Sequence, residues 1–158
     1  MQRNWYELRL PPPVIDGLCA LVMWALARAL PQAQLWPQGQ LWATVAALVL
    51  AALGGALALA GLAHFARART TFNPLAPQHT RALVTSGVYR ITRNPMYLGM
   101  LLVLAGWALW LGNAASWLGL PLSVALLTWL QILPEERFLR ARFGAAFDDY
   151  LRRTRRWL

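Results

Sequence analysis

Two short groups of polar residues, each at the edge of an apolar run, could do chemistry in this chain. The first is Arg93, Asn94 and Pro95, directly before the run that begins at Met96. Asparagine followed by proline has a local explanation, since the amide can cap free helix N–H groups and proline has the φ of a first turn. Capping leaves Arg93 unexplained, because a cation at the positive end of a helix costs about 0.3 to 1 kcal/mol without an anion nearby. Arginine beside helix N–H groups is typical of a carboxylate or phosphate site, although membrane phosphates would also satisfy it.

The second group is Glu135 and Glu136, directly after Pro134 at the end of another apolar run. Acidic residues in the first turn of a helix are stabilising without any function. The chain has only 6 acidic residues, however, and charged groups close to hydrocarbon are costly and tend to mark functional sites. A second interpretation is therefore that these carboxylates receive the amino group or the ribose hydroxyls of a cationic cofactor.

Other kinds of catalytic centre find little support in the sequence. No His-Glu-x-x-His, Cys-x-x-Cys or Gly-x-Ser-x-Gly pattern occurs, and His64 and His79 are separated by a loop that contains proline. We therefore predict no metal site and interpret His64 as an interfacial side chain. The single cysteine, Cys19, lies in an apolar run and is expected to be a small buried hydrophobic residue. The absence of a glycine-rich phosphate loop argues against nucleoside triphosphates and against a Rossmann-type cofactor site.

The composition indicates that membrane helices position these groups. Hydrophobic residues make up 58% of the 158 residues and charged residues only 13%. All 15 basic residues are arginine and the formal charge is +9, a balance that fits nucleic acid, an anionic membrane surface or an acidic ligand. Long uncharged runs separate the arginines, so no soluble basic domain remains to bind nucleic acid. We predict an all-α polytopic membrane protein.

Four apolar runs approach the 17 to 25 residues that a membrane-crossing helix needs. The last two are short, and a tight turn at 112–116 makes them a helical hairpin. We treat the chain as one domain, with N-terminal spans in 1–65 and a core in 66–158. The predicted spans are Val14 to Leu30, Leu41 to Phe65, Met96 to Leu111 and Trp117 to Leu133.

The distribution of arginine predicts the orientation of these spans. Arginines precede span one, lie between spans two and three, and follow span four, while the loops 31–40 and 112–116 contain none. By the positive-inside rule, both termini and the middle loop face the cytoplasm, which indicates the cytoplasmic (inner) membrane, and only Arg28 is on the other side. We see no cleavable signal before span one. Apolar residues spaced along the tail after Leu133 predict an amphipathic helix on the cytoplasmic leaflet.

Several short pieces of the sequence, taken together, resemble the isoprenylcysteine carboxyl methyltransferase family and its phospholipid methyltransferase relatives. The pieces are Arg93-Asn94-Pro95-Met96-Tyr97, Glu135-Glu136, and the closing Phe143-Gly144, Tyr150 and Arg155-Arg156-Trp157. The resemblance runs from about Thr71 to Leu158. It implies S-adenosylmethionine as cofactor and a methyl acceptor that enters from the bilayer. The isoprenylcysteine members usually have histidine where Asn94 stands. The implied cofactor contacts are Gly87, Val88, Tyr89, Arg93, Asn94, Pro95, Tyr97, Leu98, Gly99, Glu135, Glu136 and Tyr150.

Transfer of a methyl group from a sulfonium needs an aligned nucleophile and a dry site more than it needs a general base. We expect Arg137 or Arg140 to orient an anionic acceptor, a carboxylate or a thiol, that is either lipophilic or small. Two other functions remain open at this point: a non-catalytic module whose basic tail binds anionic lipid or a partner, and a membrane reductase with a nicotinamide site. The oligomeric state does not follow from the sequence.

Overall fold

The computed structural model describes residues 10–67 and 82–158, and their regular structure is helical. Three helical runs, Pro12–Ala29, Leu41–Arg67 and Ala114–Phe143, have the length and apolar composition to cross a membrane. A fourth apolar helix, Pro95–Leu111, has 17 residues. The prediction of an all-α polytopic membrane protein is confirmed, and the first three predicted spans agree with these bounds within two residues. Predictions about Arg3, Arg9, Arg69, Arg81 and His79 lie outside the described residues.

The helices are numbered in chain order. Short 3₁₀ turns lie at Pro31–Ala33, Gly87–Arg90 and Ala114–Leu118. The α-helices are α1 (Pro12–Ala29), α2 (Leu41–Arg67), α3 (Pro95–Leu111), α4 (Gly119–Leu127), α5 (Leu133–Phe143) and α6 (Ala145–Arg153).

The helix that contains the predicted fourth span does not end at Leu133, because α4 continues into α5 through a π-helical turn at Thr128–Ile132. Proline inside a helix lacks a donor and crowds the carbonyl four residues earlier. The wider π turn directly before Pro134 relieves that conflict, so the helix continues beyond the proline to Phe143. Glu135 and Glu136 are thereby carried on the same helical run as the fourth span.

Glycine residues hold α2 and α3 together at backbone distance. A Cβ atom at Gly54 would collide with the carbonyl oxygen of Gly99, and one at Gly99 would collide with that of Gly54. A Cβ at Gly106 would lie 2.8 Å from the Ala47 oxygen. Other small residues of α2 do not share this role, since Ala52 and Ala56 are exposed.

The loops at one end of the helices are joined by hydrogen bonds. Asn113 Nδ2 donates to Leu30 O at 2.9 Å and Trp36 Nε1 donates to Leu109 O at 2.9 Å. Gly112 has a φ of 64°, a left-handed conformation that favours glycine, and its nitrogen caps α3. The predicted hairpin turn is therefore present, and the segments 82–94 and 133–158 meet at the opposite end.

The tail forms two short helices that bury their apolar side chains against the protein. Phe147 and Tyr150 of α6 pack with Val84 and Tyr89 of the preceding loop, and Leu139 and Phe143 of α5 border the same cluster. The prediction of an amphipathic helix is confirmed for the tail, but this apolar stripe covers the 82–90 segment. The reason is that Gly144 turns the chain back between α5 and α6.

Candidate active site

An ion-pair cluster joins the two polar groups that the sequence singled out. Arg93 Nη2 lies 2.8 Å from Glu136 Oε1, and the Arg156 guanidinium bonds both oxygens of the same carboxylate, at 3.0 and 2.6 Å. The side chains of Arg93 and Glu136 are only 12% and 16% exposed, so bulk water screens this pair weakly. The hydrogen bonds to Glu136 raise the pKa of Arg156. The anion that Arg93 was predicted to need is therefore supplied, at least in part, by Glu136.

The C-terminal residues 154–157 lie alongside the segment 92–94 as a strap. Arg93 N donates to Arg155 O at 3.0 Å, and Arg93 Nη1 donates to Thr154 O at 2.7 Å. Asn94 Nδ2 donates to Arg156 O at 2.9 Å. Asn94 does occupy the N-cap position of α3, but its side chain makes no capping hydrogen bond, so the predicted capping role is wrong. The amide is used to hold the strap instead.

The other glutamate is bonded differently. Tyr97 Oη donates to Glu135 Oε1 at 2.7 Å, and no other hydrogen bond to Glu135 occurs within the described part of the chain. Tyr97 is 8% exposed and packs with Ile15, Leu127 and Ile132, so the surrounding helices hold its ring in place. Trp157 of the strap borders the same cluster. The Glu135 carboxylate can therefore accept further hydrogen bonds, whereas both oxygens of Glu136 are already bonded by arginine.

The turn Gly87–Arg90 is held against the ends of α2 and α6. Tyr150 Oη donates to Tyr89 O at 2.7 Å, and burial raises the pKa of both phenols, so both stay protonated at neutral pH. Gly87 has a φ of 60°, and a Cβ atom there would collide with the His64 imidazole. His64 Nδ1 lies 2.8 Å from Ala60 O, a contact in which that nitrogen donates. Tyr150, which the resemblance implies as a cofactor contact, thus positions this turn.

The remaining predicted residues fall into three surroundings. Pro95 and Gly99 pack against α2, where Gly61 and Gly54 face them. Arg140 is 61% exposed on its side chain and pairs with Asp148 at 2.8 Å, beside an open surface depression. Arg137 is exposed on α5. Val88 and Leu98 are half-buried, and Leu98 N donates to Asn94 O.

Two participants were not among the predicted site residues. Arg156 completes the cluster around Glu136, although the sequence offered it only as part of a motif. His64, interpreted as an interfacial side chain, reaches the Gly87 turn from α2. The spacing of residues in the sequence did not predict either contact. Arg156 lies 20 positions after Glu136, and Gly87 lies 23 positions after His64. No group of three or more potential metal-ligating side chains occurs within residues 10–67 and 82–158.

One donor of the cluster has no partner among the described residues. Arg93 Nε is buried and has no hydrogen-bond partner in the described segments, although both of its terminal nitrogens are bonded. A buried guanidinium donor without a partner is costly, and a carboxylate is the group that satisfies it best. The cluster can therefore accept an anionic group at Arg93 and a donor group at Glu135.

Comparison with known proteins assigns the chain to a family. The phospholipid methyltransferase family matches residues 42–146, about two-thirds of the chain, and this range includes Arg93, Tyr97, Glu135 and Glu136. No solved structure gives a significant match.

Three relatives are informative. A probable protein-S-isoprenylcysteine O-methyltransferase of Oryza sativa subsp. indica is 27% identical over 132 residues, 82% of this chain and 69% of that protein. Protein-S-isoprenylcysteine O-methyltransferase A of Arabidopsis thaliana is 29% identical over 113 residues, 69% of this chain and 55% of that protein. An uncharacterized protein of Haemophilus influenzae is 43% identical over 63 residues, 40% of this chain and 100% of that protein. These matches favour a methyltransferase over the reductase and the non-catalytic module. The chain belongs to the phospholipid methyltransferase family and is an integral membrane methyltransferase.

Proposed function

We propose that this protein transfers a methyl group from S-adenosylmethionine to a lipophilic or small anionic acceptor, a carboxylate or a thiol, at the cytoplasmic face of the inner membrane. The observation that carries the proposal is the meeting of Arg93, Tyr97, Glu135 and Glu136 in one half-buried cluster. This cluster lies at the helix ends that border the arginine-bearing segments, which the positive-inside rule assigns to the cytoplasm together with both termini.

The chemistry of the cluster fits the cofactor. When bound, S-adenosylmethionine supplies a methyl group on a sulfonium that is open to direct displacement. Arg93 Nε would hold its carboxylate, because this buried donor has no partner within the described residues. Glu135 would receive its amino group or a ribose hydroxyl, because among the described residues only Tyr97 engages that carboxylate. Glu136 is the weaker candidate, since two arginines already bind it.

The remaining contacts position the site and exclude water. Tyr150 fixes the Gly87–Arg90 turn through Tyr89 O, and the strap covers Asn94 from the other side. An acceptor arriving from the bilayer would be oriented by Arg137 or Arg140, of which Arg140 must first leave Asp148. An ionised carboxylate or thiolate needs no base, so alignment in a dry site supplies most of the rate acceleration.

Isothermal titration of the detergent-purified protein with S-adenosylhomocysteine tests this proposal. Glu135→Gln keeps an acceptor for Tyr97 but removes the charge, and Arg93→Lys keeps a cation for Glu136 but removes the Nε donor. Each substitution is expected to weaken binding on the order of tenfold, as for loss of a charge-assisted hydrogen bond. Asp149→Asn, on the exposed side of α6, is the matched control and should bind like the wild type.

Two results would contradict the assignment. One is the absence of saturable binding to the wild type; the other is equal affinity of the wild type, Glu135→Gln and Arg93→Lys. For the acceptor, a long-chain carboxylate and a long-chain thiol are offered with labelled methyl donor. Arg137→Gln or Arg140→Gln should raise the acceptor KM and leave adenosylhomocysteine affinity unchanged.

A further inference from the structure

The interface between α1 and α4 contains a carboxyl group that the proposed reaction does not use. Asp16 is 9% exposed, and its Oδ1 accepts a hydrogen bond from Ser123 Oγ at 2.5 Å. Its other oxygen, Oδ2, is buried and has no hydrogen-bond partner among residues 10–67 and 82–158. A carboxyl oxygen without a partner inside a membrane helix is costly. As a carboxylate, Asp16 would need a hydrogen-bond donor or a cation at this oxygen.

Asp16 lies at the edge of the buried face of α1, next to surface that faces lipid. Ile15 and Cys19, on the buried face, are each 1% exposed. On the other side, Leu18 is 52% exposed, and a Cβ atom at Gly17 would meet nothing within 4 Å. Asp16 therefore lies next to the outer surface of the helices and not at the centre of the bundle.

A second buried atom in the same region lacks the same kind of partner. Gln131, in the π-helical turn, is fully buried and donates Nε2 to Leu10 O at 2.6 Å, which ties this turn to the start of α1. Its Oε1 has no hydrogen-bond partner within the described part of the chain. Both unpartnered atoms along α1 are thus acceptors. A ligand that donates hydrogen bonds fits this interface, and an anion does not.

We propose that the α1–α4 interface binds the hydrogen-bond-donating head of a single-chain lipophilic molecule, an ammonium or a hydroxyl group, with Asp16 Oδ2 as its acceptor. This site is separate from the cluster at Arg93 and Glu135, and the inference does not depend on the cofactor proposed above. The two heads share their donor chemistry and differ in charge. The ionised carboxylate accepts from either head and attracts the ammonium more strongly because of its charge.

Native mass spectrometry of the intact protein in detergent tests the site with three probes of equal chain length. Dodecylamine and dodecanol carry a donor head, and dodecyl methyl ether carries only an acceptor. We expect saturable binding of at least one donor probe and none of the ether. Asp16→Leu should weaken donor binding on the order of tenfold, and Asp16→Asn should do so only for the amine. Asp149→Asn is the control outside the membrane helices.

The outcomes are decisive in both directions. Binding of the amine alone, or of both donor probes, with loss in Asp16→Leu supports the proposal and identifies the head. Absence of saturable donor binding, or unchanged binding in Asp16→Leu, overturns it. Adenosylhomocysteine affinity is measured on the same samples and should not change in the Asp16 variants. If the wild type binds a donor probe but not adenosylhomocysteine, the cofactor proposal fails and this one stands.

Discussion

The α2–α3 and α1–α4 interfaces are both built on small residues, but they differ in what is left unpartnered. In α2–α3, Gly54 and Gly99 bring two backbones together. In α1–α4, Ser123 admits a buried carboxyl group, and one oxygen of Asp16 has no partner in the described residues. In a closely packed interface every group has a neighbour, whereas a buried polar group without a partner lowers the stability of the fold. The first interface is therefore a structural joint, and the second is the one for which we propose a ligand.

The two glutamates show the same contrast in the candidate active site. Within residues 10–67 and 82–158, Glu136 is bonded by Arg93 and Arg156, while Glu135 is bonded by Tyr97 alone. Under the proposed function, Glu136 has a structural role and Glu135 has a binding role. Substitutions should divide accordingly, with losses of stability where contacts are complete and losses of binding where they are not.

The largest effect is expected at the α2–α3 joint. Gly54→Ala forces a Cβ atom into the Gly99 carbonyl, and two rigid backbones must separate, so we expect a loss of about 3 kcal/mol in unfolding free energy. Gly55→Ala is the matched control, because a Cβ atom at Gly55 would meet nothing within 4 Å. Thermal unfolding in detergent, followed by circular dichroism, compares the two variants. Equal midpoints would show that the joint does not depend on backbone contact.

The next largest effect is expected at Glu136. Glu136→Gln leaves two partly buried arginines with a neutral partner, which should cost about 2 kcal/mol, since all three hydrogen bonds to this carboxylate are charge-assisted. Glu135→Gln should leave the unfolding midpoint nearly unchanged, because Tyr97 keeps an acceptor. Unfolding midpoints of the two variants measured side by side decide the matter. A larger loss in Glu135→Gln would reverse the roles assigned to the pair.

These contrasts also define what could be predicted from the sequence. The apolar runs predicted the helices correctly, because a chain that crosses hydrocarbon must satisfy its backbone hydrogen bonds internally. The two polar groups were also identified correctly as neighbours in space. The partner of Arg93 was missed because a local cap explained Asn94, whereas the strap that holds both comes from residues 154–157. The extension beyond Leu133 was missed because proline normally ends a helix, and the preceding π turn has no clear sequence signal.

A moderate effect is expected where α1 crosses α4. A Cβ atom at Gly119 would collide with the Met23 side chain, which is flexible, unlike the carbonyl that faces Gly54. Gly119→Ala should therefore cost about 1 kcal/mol, and Met23→Ala in the same chain should remove much of the conflict. A double-mutant cycle on unfolding midpoints measures the coupling. If the losses of unfolding free energy in the two single variants add up in the double variant, the Met23 side chain is not the cause of the Gly119→Ala destabilisation.

The smallest effect on stability is expected at Ser123, because an interhelical hydrogen bond in a membrane contributes only about 0.6 kcal/mol on average. Ser123→Ala removes the donor to Asp16 Oδ1 and leaves both carboxyl oxygens available. If the α1–α4 interface is a ligand site, this variant should bind dodecylamine at least as tightly as the wild type while its unfolding midpoint falls slightly. Ser116→Ala is a comparable control, since that buried hydroxyl bonds Asn113 O instead. Weaker amine binding in Ser123→Ala alone would contradict this expectation, and a large fall in its unfolding midpoint would mean that the Asp16–Ser123 hydrogen bond is mainly structural.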